Sequence, residues 1–140
     1  EMYQEIYEEA QAHDGPFMER LVFYMMNFSG YIEKSGLKLC QEWVRNTVDP
    51  DLVENPVDKN KLRMDLDSMK GMIEKGVERG ELNKNTPVDA LSHTLVDLVY
   101  GEMLCWDMSG GAYSFEERTK EFCSLFLPAI IKPYLSGKEA

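Results

Sequence analysis

Residues 72–110 read MIEKGVERGELNKNTPVDALSHTLVDLVYGEMLCWDMSG, and this stretch decides the fold. One helix stops in it and a longer one starts. Ile73 and Val77 close an apolar stripe, and Arg79 places a cation at the negative end of the first helix. Gly80 follows as the left-handed residue that ends a helix at no steric cost. Thr86-Pro87-Val88-Asp89 then supplies an N-cap threonine, a proline at the first helical position and an acid in the first turn. The helix so begun carries Val88, Leu91, Leu95, Val99, Met103 and Trp106 at helical spacing and runs to residue 108, roughly 33 Å at 1.5 Å per residue.

The same period extends outward in both directions, and the strand signature of alternating runs joined by two-residue turns is missing. We expect an all-α bundle of about six helices in one domain, 1–140. Residues 1–12 form a short acidic helix with Met2, Ile6 and Tyr7 on one side, broken by His13-Asp14-Gly15-Pro16. Residues 16–33 leave almost no polar face, so this segment is expected to be the central helix or one wall of a cavity. Residues 37–48 carry Leu37, Cys40, Trp43, Val44 and Val48, and a polar loop covers 49–58. Residues 58–79 place Leu62, Leu66, Met69, Ile73 and Val77 on one stripe with Met64 and Met72 beside it, and Lys70 one turn before Glu74. Ser109-Gly110-Gly111 turns the chain into a last helix, 114–135, with Ser114 and Glu117 as a capping box and Pro128 as a kink.

With 140 residues the chain can build one core without disulfides or metals. Hydrophobic residues at 44% and charged residues at 29% place it among soluble globular domains, and no apolar run reaches the roughly 18 residues of a membrane span. The net charge is −10, residues 1–14 hold five acids and no base, and no basic patch exists; direct nucleic-acid contact by these residues is therefore not expected. Cys40, Cys105 and Cys123 lack metal-type spacing and read as buried thiols of a reducing, cytoplasmic compartment. No signal peptide is visible, and a chain starting at Glu1 reads as a fragment or a processed product.

Chemistry is sparse. Glycine-rich phosphate loops, GxSxG, HExxH and CxxC are all missing, and no cofactor is implied. Asp89, His93 and Asp97 share one helix face and could hold a divalent cation, against the plainer reading of a solvated stripe. None of the many acids stands in an apolar setting that argues for a raised pKa. What stands out is soft apolar surface: nine Met, seven Tyr, six Phe and two Trp. Ordinary core packing accounts for it, or else a small-molecule cavity between helices. The side chains expected to line such a cavity are Tyr24, Met25, Phe28, Tyr31, Trp43, Met64, Met69, Tyr100 and Met103, with Tyr24, Asn27, Ser29 and Tyr31 as its polar groups. The last two helices carry more apolar residues than one small domain buries easily. Leu91, Leu95, Leu98, Val99, Phe115, Phe122, Leu125, Phe126 and Ala129 are expected at a two-fold interface, with Gly101 allowing a second helix close approach.

Ile73 to Leu82, then Pro87-Val88-Asp89-Ala90, then Leu98-Val99-Tyr100-Gly101 and Trp106, resemble the C-terminal ligand-binding and dimerisation domain of TetR-family transcriptional regulators. The likeness is specific around residues 72–106 and covers most of the chain in layout. It implies a homodimer whose last two helices form a four-helix bundle, an apolar or aromatic ligand, and coupling to DNA through an N-terminal helix-turn-helix that this chain does not contain. Residues 1–12 would then be the end of the helix that joins the two domains. Two other readings stand beside it: a helical protein-interaction module with a filled core, and a small metal enzyme using Asp89, His93 and Asp97.

Overall fold

The computed structural model describes residues 2–13 and 15–137, and the side chains of Met2 and Tyr3 lie outside the described residues. It is all-α. Among the described residues eight α-helices follow in order: α1 (Met2–Ala12), α2 (Phe17–Ser35), α3 (Leu37–Thr47), α4 (Pro56–Lys59), α5 (Lys61–Glu78), α6 (Val88–Met108), α7 (Phe115–Leu125) and α8 (Leu127–Ile131). No helix among the described residues is long and apolar enough to cross a membrane.

The punctuation residues set these limits. Arg79 ends α5, Gly80 takes φ +75°, and the Glu81 amide donates to Gly76 O at 2.9 Å while the Gly80 amide donates to Val77 O at 3.0 Å. That pattern satisfies carbonyls that the helix end would otherwise leave bare. The start of α6 departs from the expected cap. Thr86 spends its hydroxyl on Asn83 O at 2.6 Å within the preceding turn, and Pro87 occupies the cap position with no side-chain bond. Asn83 organises that turn, accepting the Asn85 amide on its own side chain at 3.0 Å, so the threonine is drawn backward rather than forward.

The polar segment 49–58 is more ordered than expected. Asp49 caps a one-turn 3-10 helix at Pro50–Leu52, and Asn55 accepts the Val57 and Asp58 amides to start α4. The last expected helix is divided in two, because Pro128 has no amide proton and α8 restarts at Leu127. Ser114 accepts the Glu117 amide at 3.1 Å, as its position suggests. The carboxylate that completes this helix start comes from α2: Glu33 accepts the Ser114 hydroxyl at 2.9 Å and the Glu116 amide at 2.8 Å.

The core lies between α2, α5, α6 and α7. Phe17, Leu21 and Met25 on α2, Met69, Met72 and Ile73 on α5, Leu95 on α6, Phe115 on α7, and Leu127 and Ile131 on α8 are buried. Each such side chain contributes on the order of 1.5–3 kcal/mol by leaving water. At Gly76 the packing leaves no room for a side chain, since a Cβ there would lie 2.9 Å from Phe17 and 3.0 Å from Leu82. Contrary to expectation, α2 is not buried all round. Met18, Val22, Phe23 and Met26 remain half-exposed, and His13 covers part of that strip by stacking on Phe23 at 4.7 Å. Lys70 reaches Asp89 on α6 at 3.0 Å instead of pairing with Glu74.

One buried charge ties elements together. Arg20 on α2 donates to Gly15 O at 2.8 Å and to Glu81 Oε2 at 3.0 Å, so one guanidinium holds the α1–α2 corner to the α5–α6 turn. An isolated antiparallel bridge, Leu82 with Leu135, fastens the C-terminal segment over the same turn.

A candidate aromatic cavity between four helices

The register of α2, α3, α5 and α6 opens a cavity of about 290 Å³ where they meet. From α2 come Phe28, Tyr31, Ile32 and Ser35; from α3 come Leu39, Cys40 and Trp43. Asp58 of α4, Lys61 of α5, and Tyr100 and Met103 of α6 complete it. Three aromatic rings frame the interior: Phe28 and Tyr100 stack with centroids 6.5 Å apart, and Trp43 meets Tyr100 edge-on at 6.5 Å.

One end is polar. Lys61 and Asp65 are one turn apart on α5, both buried, and form an ion pair. Tyr100 donates its hydroxyl to the other Asp65 oxygen. Burial lowers the Lys61 pKa, and the Asp65 carboxylate opposes that. The Lys61 ammonium also lies 5.1 Å from the centre of the Phe28 ring. Trp43 donates its indole N–H to Asp58 at 3.4 Å, so a carboxylate stands at the rim and fixes the ring.

The floor holds a thiol. Cys40 donates to Asp107 Oδ2 at 3.2 Å, and Gln41 donates to the Asp107 carbonyl at 2.9 Å. Burial, then this hydrogen bond, pushes the Cys40 thiol up to about 12. Burial also raises the Asp107 carboxyl, with the thiol hydrogen bond opposing it. Cys123 is pushed up by burial to about 11. Cys105 is exposed, contrary to the expectation of three buried thiols. Native protein at pH 8 should therefore give one rapid equivalent with Ellman's reagent, and Cys105→Ser should remove it; two or three rapid thiols would contradict the burial. A thiol whose pKa rises on folding contributes stability below its ordinary value near 9.0, and that contribution is lost as pH climbs toward about 12.

The expected lining residues divide. Phe28, Tyr31, Trp43, Tyr100 and Met103 line the cavity. Tyr24, Met25 and Met69 instead surround a gap of about 10 Å³, room for one water at most, and belong to packed core. Met64 faces outward on α5, because the buried stripe of that helix runs through Lys61, Asp65, Met69, Met72, Ile73 and Gly76, one position before the register expected from Leu62 and Leu66. Of the expected polar groups only Tyr31 reaches the cavity. Ser29 turns back to Met26 O, and Asn27 lines a separate surface groove with Glu5, Glu9 and Lys34. Asp58, Lys61 and Asp65 escaped the sequence reading; Lys61 and Asp65 belong to the buried stripe of α5, while Asp58 is half-buried on α4.

The expected interface residues divide as well. Leu91, Leu95, Val99 and Phe115 are buried within the chain's own core and present no surface to a partner. Leu98, Leu125, Phe126 and Ala129 are exposed and Phe122 half-buried. Leu104 and Met108, three and four residues apart beyond Gly101, extend the exposed apolar row on α6. Asp89, His93 and Asp97 face solvent, Asp89 being paired with Lys70, and no group of three metal-type ligands is assembled among the described residues. Comparisons with protein-family models, curated proteins and solved structures give no match.

Proposed function

We propose that this chain is a ligand-binding and dimerisation domain, the regulatory part of a TetR-like transcriptional regulator of the cytoplasm. The observation that carries this reading is the cavity of about 290 Å³ framed by Phe28, Trp43 and Tyr100. It has the size of a small-molecule site and the usual build of one, apolar walls with a few placed polar groups. Its walls come from α2, α3, α4, α5 and α6, so an occupant would bias their relative positions. DNA contact would belong to a helix-turn-helix ahead of α1, which agrees with the absence of basic clusters in the described domain.

Dimerisation has its own support. Leu98, Leu104 and Met108 form an exposed row on α6, Leu125 and Phe126 are exposed at the end of α7, and a side chain at Gly101 would meet nothing within 4 Å. A second α6 can approach closely along such a row, closing a four-helix bundle about a two-fold axis. Titration with small aromatic compounds should raise the melting temperature in proportion to the logarithm of concentration, by the mass action of binding to the native state. A melting temperature indifferent to every apolar and aromatic compound tried would remove the sensing reading and favour a helical interaction module. The half-exposed strip Met18, Val22, Phe23 and Met26 of α2 would then be its contact surface.

A further inference from the structure

We infer that the cavity between α2, α3, α5 and α6 takes an organic cation, an ammonium carried on an aromatic or branched aliphatic body. This rests on the cavity being a ligand site, as proposed above. The charges decide the class. Asp58 and Lys61 line the cavity, and Asp65 stands behind Lys61 in an ion pair with it. That pair is neutral as a unit, so Asp58 leaves the site with one surplus negative charge.

A neutral occupant would strip water from the Asp58 carboxylate and give it nothing in return. An anionic occupant would meet two carboxylates and one ammonium already matched by Asp65. A cation offsets the surplus and replaces the lost hydration. The walls favour the same charge. Aromatic faces carry negative potential, and Trp43, with its N–H donated to Asp58, has that potential strengthened. The site already accommodates one ammonium in this manner, since Lys61 lies against the Phe28 ring at 5.1 Å. The chain's net charge of −10 draws cations toward every opening on its surface.

The test uses three compounds of nearly one shape: phenyltrimethylammonium, its neutral carbon isostere tert-butylbenzene, and 4-tert-butylbenzoate. Affinities are measured by calorimetry at low ionic strength on the intact chain. The cation should bind at least tenfold more tightly than tert-butylbenzene, and the benzoate most weakly. Asp58→Asn should cancel the preference for the cation, weakening phenyltrimethylammonium at least fivefold and strengthening tert-butylbenzene, because no carboxylate is then stripped of water. Asp58 is partly exposed, and circular dichroism verifies that the variant is folded; the ranking on the unaltered protein stands without it. Equal or tighter binding of the neutral or anionic compound overturns the inference and leaves the cavity a ligand site. Binding of none of the three overturns both this inference and the sensing reading.

Discussion

Leu95→Glu is expected to abolish folding, whereas Leu98→Glu, three residues further along α6, is expected to fold normally and to weaken self-association. Leu95 has no exposed surface, while Leu98 is 38% exposed. Truncating a buried leucine costs about 2–5 kcal/mol through lost transfer and the cavity left behind. An unpaired carboxylate in the same place adds several kcal/mol. Together these approach the roughly 5–15 kcal/mol that separates a folded domain from its unfolded chain. Circular dichroism should show Leu95→Glu without a cooperative urea transition. A cooperative transition would mean that the α6 core face is misassigned. Leu98→Glu should retain the parental transition, and light scattering should report half the parental mass. An unchanged mass would exclude the α6 row as a dimer seam, and a monomeric parent would remove the dimer altogether.

Glu81→Ala should cost about 3 kcal/mol, the lower end of what breaking a buried ion pair costs. The Arg20 guanidinium is 2% exposed and Glu81 15%, so the pair sits just inside the surface. Without Glu81, the charge keeps Gly15 O as a partner but loses both bonds to the carboxylate. Replacing both ends by apolar groups, Arg20→Met with Glu81→Leu, should recover most of the loss, because no charge is then left stranded. Urea denaturation of the three variants measures this. A loss below about 1 kcal/mol for Glu81→Ala would place the guanidinium in contact with water, as in ordinary surface pairs.

Helix limits were legible along this chain wherever a residue punctuates the backbone by its own chemistry. Pro16, Gly36, the Asp49-Pro50 pair, Gly80 and Gly110-Gly111 all stand at breaks found in the structure. Facing was not legible on α2, where the buried repeat Phe17, Leu21, Met25, Phe28 and Ile32 is flanked by Met18, Val22, Phe23 and Met26, so that the whole helix reads as buried. Nor was it legible on α6, because apolar residues occur on both of its sides. Leu91, Leu95 and Val99 go inward, Leu98 and Leu104 outward, and the local pattern treats them alike. The buried charges were missed for a related reason. Asp65 is matched partly by Tyr100, 35 residues away, and Arg20 by Glu81, 61 residues away. A charge appears exposed in a linear pattern until its distant partner is known. The aromatic frame fell between these cases: Phe28, Trp43 and Tyr100 were expected together from residue type, while the carboxylate and ammonium that give the cavity its polarity were not.

The Arg20 side chain also bears on how motion can travel through this molecule. Two corners of the bundle share it as a common strut: the bend where α1 leaves α2, and the turn between α5 and α6. The two corners therefore do not hold separate degrees of freedom. A shift of Gly15 must carry the Arg20 guanidinium, and with it Glu81, or break the hydrogen bond to Gly15 O. Displacement of the α5–α6 turn reaches Gly15 by the same route, in a single step across one planar group, without passing through the packed interior.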